Sequence, residues 1–546
     1  MKALILCLMF YSSFVFANIR EVVYVESPTD TDKDGKLDLI YVSIDRASNA
    51  KNQHVIYKNS PYAEGGNQVD FYSTDVDLLP QDEAFDGKSE SKMTANSLIK
   101  EVKAEAYQGF ADVYAHSLGT GKSTGCPSVG DISETLAAKA VIDWLNGRAK
   151  AFDSSGKEVK ADWASGNVGM IGVSYNGTLP TMVATTGVEG LKAIVPIAAI
   201  SNWYNYYRAN GLVVNPGGYE GEDADVLGRY IVRKRACENE LQNITKLMGR
   251  EHGDFNKFWQ DRNYLPQAKN IKAAVFIAHG QSDWNVKQKH AVDLWNALSA
   301  DTPKRMFLHS GGHSYPSDRG FRNNVQKWFD HYVKGELNDI NDKPAVRVNT
   351  VNENRVMEQE SWPHENTFKQ VIPLGLNDIH KVVDIGADKR LEVLTQAPTQ
   401  KNSERVILLS DKLEADTLFS GTVKVNLMLS VLNRAAANIT VAIVKYSGSS
   451  RGTIMTRGWA DPQNYRNLSE GELLTRGVKY NLSFEIEPKQ FKLRKGERLG
   501  VLLTSTDNKY TLRPSTGTEL EFFLGDDSSI ELFGSESVSN LIERND

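Results

Sequence analysis

Cysteine is scarce in this chain, with three among 546 residues, and basic residues are not in excess. So few cysteines exclude a small disulfide-rich scaffold, because such scaffolds depend on several bridges. The formal net charge is -6 and no basic patch stands out, so nucleic acid is not an expected partner. After the N-terminus no segment is apolar enough to cross a bilayer, so no membrane span is expected.

The first 17 residues differ from the rest of the chain in composition. Lys2 precedes an apolar stretch at residues 3–16, and the small residues Val15 and Ala17 stand at a suitable spacing for cleavage. This pattern predicts a signal peptide over residues 1–17, removed from an exported protein that is periplasmic or secreted.

Export would leave two cysteines, Cys126 and Cys237, in a compartment where a disulfide can persist. Cys7 lies within the predicted signal peptide and is lost with it. Spacing in the sequence does not show proximity, so a bridge and a pair of separate buried thiols both stay open.

Short apolar runs alternate with helical patterns through residues 50–343. The run V-G-M-I-G-V at residues 168–173 is typical of a buried parallel strand, and similar runs follow at 193–200, 273–279 and 305–309. Strands that alternate with helices predict a doubly wound α/β sheet.

The composition divides the chain after the signal peptide into three parts. Residues 18–200 and 272–343 form the predicted α/β domain. Residues 201–271, rich in aromatic and acidic side chains, predict a helical cap over the C-terminal ends of the strands. Residues 344–546 show strand alternation with few helical patterns, which predicts a C-terminal β-sandwich of the jelly-roll kind.

Ser174 lies in G-V-S-Y-N-G, directly after the apolar run that ends at residue 173. The pattern is close to G-x-S-x-G, which places a nucleophilic serine on a tight turn between a strand and a helix. Asn176 occupies the place of the second glycine and Gly177 follows one residue later. Asn tolerates left-handed backbone better than most residues, so the turn stays feasible. On this motif alone, Ser174 is either a nucleophile or a polar residue in a turn.

A base and an orienting carboxylate follow Ser174 in the chain. Asp283 comes just after one predicted strand, and His313 lies in a glycine-flanked loop after the next. The order Ser, Asp, His is that of the α/β-hydrolases, in which the three side chains form a catalytic triad. The sequence therefore predicts Ser174 as nucleophile, His313 as base and Asp283 as its orienting acid.

Acyl transfer also needs hydrogen-bond donors for the developing oxyanion. The backbone N–H of Tyr175 is one candidate, because it follows the nucleophile. The phenol O–H of Tyr62, in the loop after an early strand, is the other candidate. The alternative for Tyr62 is a packed tyrosine without a catalytic role.

With these residues in place, the chain resembles the Xaa-Pro dipeptidyl-peptidase family of serine hydrolases, whose relatives include cocaine-esterase-like and α-amino acid ester hydrolases. The resemblance implies an α/β-hydrolase fold and covers nearly all of the chain after residue 17. It is carried by S-P-Y (60–62), A-V-I-D-W-L-N-G-R-A (140–149), G-V-S-Y-N-G-T-L-P (172–180), W-Y-N-Y-Y-R-A-N-G (203–211), G-G-Y-E-G-E-D-A-D (217–225), H-G-Q-S-D-W-N-V (279–286) and W-F-D-H-Y-V-K-G (328–335).

The resemblance implies cleavage after a penultimate proline, which releases an N-terminal Xaa-Pro dipeptide from a peptide. Proline is a compact apolar ring and suits a short aromatic pocket. The free substrate amine suits a carboxylate in a partly dry site. The positions that match the family are Trp203, Tyr206 and Val286 for the proline pocket, Glu222 with its neighbour Asn285 for the amine, and Tyr219 for the wall of the second pocket.

Several alternatives stay open at this point. Glu222 is otherwise an exposed acid at the start of a helix. The same triad could serve an esterase or acylase, and a third reading is a non-catalytic glycan-binding or adhesion protein built on the sandwich. The predicted chemistry requires no cofactor. Because some family members carry an extra N-terminal helical domain, whether this chain forms a homo-oligomer also stays open.

An Asp-rich segment, D-T-D-K-D-G-K-L-D at residues 30–38, is similar to a calcium loop. Asp30, Asp32, Asp34 and Asp38 have the early EF-hand spacing, but Tyr41 stands where the bidentate glutamate belongs. The alternatives are an Asp-rich hairpin turn and a structural calcium site. Neither would be catalytic.

Overall fold

The apolar runs that predict buried strands lie side by side in one sheet of the computed structural model. The structure describes residues 18–48, 51–76, 88–92, 106–251, 253–353, 355–384, 390–448 and 450–544, so the predicted signal peptide at 1–17 lies outside the described residues. Within them, twelve strands pair in this spatial order: Val356–Gln359, Val346–Asn349, Lys304–His309, Ala274–Gly280, Leu191–Ile197, Ala164–Val173, Gln53–Ser60, Ala111–His116, Leu39–Ala47, Asn18–Glu26, Ala151–Phe152 and Glu158–Val159.

The middle of this sheet is parallel and its two margins are antiparallel. The parallel strands are buried on both faces, as the seven buried residues of Ala274–Gly280 illustrate. Separate apolar cores lie on the two faces, so the predicted doubly wound α/β sheet is confirmed. The helices that cover it are Ile132–Leu145, Tyr175–Ala184, Lys289–Ala297 and Arg319–Phe329, the last continuing as a π-helix over Asp330–Lys334.

The segment between Leu191–Ile197 and Ala274–Gly280 supplies a helical insertion. Its aromatic side chains pack with Tyr62 and Tyr175 in one apolar cluster beside the C-terminal end of Ala164–Val173. The elements of this insertion are the helices Trp203–Tyr207, Ala224–Ile231, Glu238–Leu247 and Lys257–Gln260, the 3₁₀ turns Arg235–Cys237 and Leu265–Asn270, and the hairpin Arg208–Ala209 with Leu212–Val213.

The rest of the chain folds as two antiparallel sheets around one apolar core. Strand Lys479–Glu485 shows why: its residues alternate strictly between exposed and buried, which suits a sheet with one face in the core. The jelly-roll connectivity stays a prediction. One sheet holds Lys479–Glu485, Lys424–Val431, Thr518–Gly534, Thr417–Gly421, Lys489–Leu493 and Phe368–Asp384, and the other holds Val406–Leu409, Arg498–Thr504, Ile439–Tyr446 and Thr453–Ala460.

The change from one sheet to the next does not fall at residue 344, where the sequence places it. Strands Val346–Asn349 and Val356–Gln359 pair with each other and, through Lys304–His309, extend the central sheet. Short alternating strands do not reveal which sheet they join, and this explains the difference. The remaining short elements are Asp70–Tyr72, Asp75–Val76, Lys88–Lys92, Arg513–Pro514, Leu391–Leu394, Asp339–Asp342 and Pro462–Asn464. None of the helices in the described ranges combines the length and apolarity that a bilayer crossing needs.

Cys126 and Cys237 form a disulfide, which decides between the two alternatives. The bridge joins the loop before helix Ile132–Leu145 to the helical insertion, 111 residues later. It therefore ties the insertion to the main sheet independently of the peptide chain.

We expect replacement of Cys126 and Cys237 by serine to lower the free energy of unfolding by roughly 2–4 kcal/mol, because the bridge closes a long loop in the unfolded chain. Urea unfolding followed by tryptophan fluorescence measures this. Each single serine variant should match the double variant, since either one removes the whole bridge. Equal unfolding midpoints for the parent and the double variant would contradict the prediction.

Candidate active site

Ser174 lies at the turn between strand Ala164–Val173 and helix Tyr175–Ala184. Its backbone has φ 64° and ψ -133°, a conformation that non-glycine residues adopt only under strain. The flanking glycines make the turn possible: a Cβ on Gly172 would lie 2.2 Å from the carbonyl oxygen of Asn176, and one on Gly177 would lie 2.6 Å from that of Gly172. The turn therefore holds the Ser174 side chain at the C-terminal end of strand Ala164–Val173.

His313 joins Ser174 to Asp283. Its Nε2 lies 2.8 Å from the Ser174 Oγ, and its Nδ1 lies 2.8 Å from the Asp283 Oδ2. Asp283 follows strand Ala274–Gly280 and His313 follows strand Lys304–His309, so parallel pairing brings both loops to the same edge. The three side chains thus have the geometry of a nucleophile, a base and an orienting acid.

The Asp283 carboxylate is buried and held from several sides. Its Oδ1 accepts the backbone N–H groups of Asn285 and Val286, each at 3.0 Å. The His279 Nε2 lies 2.7 Å from the Val286 carbonyl oxygen and 3.6 Å from Asp283 Oδ2. Burial lowers the pKa of His279, so a neutral ring that donates from Nε2 fits this contact. The sequence pattern does not distinguish His279 from an ordinary strand residue.

The two residues predicted to supply the oxyanion donors pack against each other. The rings of Tyr62 and Tyr175 meet edge to face with centroids 6.1 Å apart, and both residues are buried. Burial raises the pKa of Tyr62 well above its ordinary value, so its phenol keeps a proton to donate. Tyr175 begins helix Tyr175–Ala184, where a backbone N–H has no acceptor within the helix. Both groups are therefore suitable donors.

Glu134 is a buried carboxylate that sequence reasoning did not find. Its Oε2 accepts the Tyr175 O–H at 2.6 Å and the Gly130 N–H at 2.8 Å. Burial raises its pKa to about 7. Glu134 fixes the Tyr175 ring from behind. Only its place among the buried residues of helix Ile132–Leu145 sets it apart from other acids.

Trp203, Tyr206 and Val286 form a buried apolar wall next to this turn. The Trp203 ring meets the Tyr175 ring at 4.8 Å and the Tyr206 ring at 6.0 Å. Its indole N–H donates to the Tyr264 hydroxyl at 2.8 Å, which locks the ring orientation. The structure therefore brings the three predicted proline-pocket residues together beside Ser174.

Glu222 is buried, with 2% of its surface exposed, which rules out the exposed helix-start alternative. Asp223, not Glu222, caps helix Ala224–Ile231. The Glu222 Oε1 accepts the Tyr207 O–H at 2.8 Å, whereas Oε2 has no hydrogen-bond partner among the described residues. Burial raises the pKa of Glu222 to about 8. A buried carboxylate oxygen without a partner is suited to a cationic ligand.

Asn285 and Tyr219 complete the predicted set. The Tyr206 hydroxyl donates to Asn285 Oδ1 at 3.2 Å, and Asn285 Nδ2 donates to the Gly217 carbonyl at 3.2 Å. Tyr219 is half-buried, and its pKa is raised first by burial and then by the nearby Glu222 charge. Asn285 and Tyr219 thus lie on the same side of the site as Glu222.

The Asp-rich turn lies in the hairpin between Asn18–Glu26 and Leu39–Ala47. Carboxylate oxygens of Asp30, Asp32 and Asp38 lie within 4.8 Å of one another, but Asp34 is not part of this group. Asp32 pairs with Lys234 at 2.8 Å, and Asp38 accepts two hydrogen bonds from Thr31. These contacts account for much of the turn, and calcium binding there stays a prediction.

Two family models together match most of this chain. A family model described as X-Pro dipeptidyl-peptidase (S15 family) matches residues 34–315, and one described as the X-Pro dipeptidyl-peptidase C-terminal non-catalytic domain matches residues 338–539. A putative Xaa-Pro dipeptidyl-peptidase of Bacillus anthracis is 39% identical over 522 residues, which cover 92% of this chain and 86% of that protein. An Xaa-Pro dipeptidyl-peptidase of Streptococcus gordonii is 31% identical, with coverage of 92% and 76%.

Solved structures with low sequence identity share the fold. A CocE/NonD family hydrolase from Staphylococcus aureus superposes with a TM-score of 0.67 at 16% identity and covers 94% of this chain and 93% of its own. An α-amino acid ester hydrolase superposes with a TM-score of 0.64 at 15% identity, with coverage of 94% and 96%. The S15 family model matches residues 34–315, and the relative from Bacillus anthracis is 39% identical over 92% of this chain. This chain therefore belongs to the X-Pro dipeptidyl-peptidase S15 family.

Proposed function

We propose that this protein is a serine exopeptidase that releases N-terminal Xaa-Pro dipeptides from peptides through an acyl-enzyme. One observation carries the substrate class: Glu222 Oε2 is buried without a hydrogen-bond partner among the described residues, while Oε1 accepts the hydroxyl of Tyr207, a member of the aromatic cluster that also holds Tyr62 and Tyr175. A free substrate amine would supply the missing partner. Membership of the S15 family supports the same reaction.

The triad geometry supports a two-step reaction. Ser174 Oγ attacks the carbonyl carbon of the proline residue and passes its proton to His313 Nε2, 2.8 Å away. The charge that develops on the carbonyl oxygen is stabilised by the Tyr62 O–H and the Tyr175 N–H. His313 then protonates the leaving amine as the C–N bond breaks. Water, activated by the same imidazole, attacks the acyl-enzyme and releases the dipeptide.

The proposed contacts select an N-terminal dipeptide with proline as its second residue. We assign the proline ring to the apolar cluster that holds Trp203, Tyr206 and Val286, and the substrate ammonium group to Glu222 Oε2. A longer N-terminal segment would leave the Glu222 carboxyl group without an ammonium partner and so lose that ion pair, which disfavours such a substrate. An esterase or acylase on the same triad remains the competing function, because low-identity ester hydrolases share this fold. The hydrogen-bonded triad argues against a non-catalytic adhesion protein.

A panel of p-nitroanilides separates these functions. We expect Gly-Pro-p-nitroanilide to be cleaved, Gly-Leu-p-nitroanilide to react at most weakly, and N-acetyl-Gly-Pro-p-nitroanilide to be a poor substrate because it lacks the ammonium group. Release of p-nitroaniline measures each rate. Ser174→Ala should lower kcat by about 10⁴-fold or more. Equal kcat/KM values for the free and acetylated substrates would contradict the proposed role of the amine.

The pH dependence tests Glu222 directly. Its pKa is raised to about 8 in the free protein, so at pH 7 most of the molecules carry a proton there and cannot pair with the substrate amine. The ratio of kcat/KM for Gly-Pro-p-nitroanilide to that for p-nitrophenyl acetate should therefore rise as pH increases toward about 8. It should fall again above that pH, as the substrate amine loses its own proton near its ordinary pKa of roughly 8.

The matched control for the pH experiment is Glu222→Gln. We expect this variant to lose the rising limb and to lower kcat/KM for Gly-Pro-p-nitroanilide by about thirtyfold or more, corresponding to roughly 2 kcal/mol or more for a buried charge pair. Hydrolysis of p-nitrophenyl acetate, which presents no amine, should stay near the parent rate. A variant that keeps both the ratio and its pH dependence would remove Glu222 from the recognition of the amine.

We also propose that the protein is exported and acts in the periplasm or outside the cell. The predicted signal peptide at residues 1–17 and the disulfide between Cys126 and Cys237 support this location. N-terminal sequencing of the native protein should then begin at Asn18. A mature protein that keeps residues 1–17 and remains in the cytoplasmic fraction would contradict export.

A further inference from the structure

In the sequence, Trp284 follows Asp283 and precedes Asn285 and Val286. Asp283 orients His313, while Asn285 and Val286 lie in the substrate-binding region. The Trp284 side chain instead packs against the C-terminal sandwich, where it joins Trp459 and Tyr510 in one apolar cluster. A single loop at residues 283–286 thus connects the triad, the substrate pocket and the second domain.

Two aromatic rings and two cations surround Trp284. Its ring centroid lies 5.4 Å from that of Tyr510 and 6.2 Å from that of Trp459. The Arg457 guanidinium carbon lies 5.3 Å from the ring centroid and the Lys489 ammonium nitrogen lies 5.0 Å from it. We call these four sandwich residues, Arg457, Trp459, Lys489 and Tyr510, the Trp284 box.

The box is internally braced. Asp507 Oδ2 accepts Arg457 Nη1 at 3.0 Å and the Trp459 indole N–H at 3.1 Å. Arg457, Trp459 and Asp507 are all buried. Buried cation–aromatic contacts are stronger than exposed ones because the cation has lost competing water. The box can therefore hold the Trp284 ring in one orientation.

The sandwich also contacts Gln281, at the start of the loop that carries Asp283, which we call the acid loop (residues 281–286). Lys489 donates from Nζ to the Gln281 carbonyl, and the Gln490 N–H donates to Gln281 Oε1 at 3.1 Å. Gln281 directly follows strand Ala274–Gly280, two residues before Asp283. The acid loop is thus held by the sandwich at its start as well as at Trp284.

The loop that carries Glu222 rests on the same surface. The Asn215 N–H donates to the Tyr510 carbonyl at 2.7 Å, and Asn215 Oδ1 accepts the Gly221 N–H at 3.0 Å. The Gly217 N–H donates to the Trp284 carbonyl at 2.8 Å. Both loops that recognise the substrate amine therefore meet at Trp284 and Tyr510.

From these contacts we propose that the Trp284 box positions the active site from the second domain: the sandwich sets the place of Asp283 for catalysis and of Asn285 for substrate binding. The binding half of this inference rests on the proposed function. The box residues contact neither the triad hydroxyl nor the imidazole, so they are positioning residues. Displacement of a catalytic group by about 1 Å costs roughly 100-fold in rate, which makes such positioning measurable.

Trp284→Ala tests the box in the full-length protein. Its kcat should fall by about tenfold or more on both Gly-Pro-p-nitroanilide and p-nitrophenyl acetate, because both reactions need Asp283 in place. Its KM should rise only for the dipeptidyl substrate, because only that substrate uses Asn285. Trp284→Phe, which keeps a ring in the box, should restore kcat to within about threefold of the parent.

Two further variants keep the test decisive. Glu485→Gln removes a different contact between the two domains, the 2.6 Å ion pair with Lys289, and should leave both activities unchanged. If Trp284→Ala does not fold, as judged by circular dichroism and thermal unfolding, Arg457→Met takes its place and should lower kcat on both substrates several-fold. A folded Trp284→Ala or Arg457→Met protein whose kcat stays within twofold of the parent on both substrates would overturn the proposal.

The ester arm separates this inference from the proposed function. A parent enzyme that hydrolyses p-nitrophenyl acetate but not Gly-Pro-p-nitroanilide would refute the peptidase activity. The effect of Trp284→Ala on ester hydrolysis would still decide whether the box positions Asp283.

Discussion

The site depends on one pair of hydrogen bonds, those that His313 makes to Ser174 and to Asp283. Each spans 2.8 Å, yet the three residues are separated by up to 139 positions in the chain. Parallel pairing makes this possible, because adjacent strands that run in the same direction bring their following loops to a common edge. The strained backbone of Ser174 persists because the surrounding structure is closely packed. The buried carboxylate of Asp283 is stabilised by the N–H groups of Asn285 and Val286 and by His313.

A second constraint is the burial of charge. Three charged groups near the site are buried, and burial favours the neutral form of each. It raises the pKa of Glu222 to about 8 and that of Glu134 to about 7, and it lowers the pKa of Lys489 to about 8. These groups lower stability unless they are paired, so their presence around one site is costly to the fold. Glu134 and Lys489 find partners within the protein, whereas one Glu222 oxygen has no hydrogen-bond partner among the described residues. An ammonium group of a substrate would pair with that oxygen and favour the charged form of Glu222.

Sequence patterns were sufficient for the parts of the molecule that local chemistry specifies. Apolar runs predict the buried strands, and the glycines around Ser174 predict its turn. The order of Ser174, Asp283 and His313 follows the order of the strands that they succeed. The contacts of Glu134 and of Trp284 could not be read in the same way, because each depends on which distant segments meet. The disulfide could not be predicted for the same reason. Nor could the extension of the central sheet past residue 344, because the sequence of a short strand does not show which strand it pairs with.

The helical insertion begins and ends on strands Leu191–Ile197 and Ala274–Gly280, which are direct neighbours in the sheet. The two ends of the insertion are therefore close together whatever lies between them. A change in the length of this segment therefore does not require a change in the strand order that brings Ser174, Asp283 and His313 together. A lineage with this architecture can acquire new substrate preferences through changes in the insertion, which carries Trp203 and Glu222, while the triad keeps its places at the strand ends.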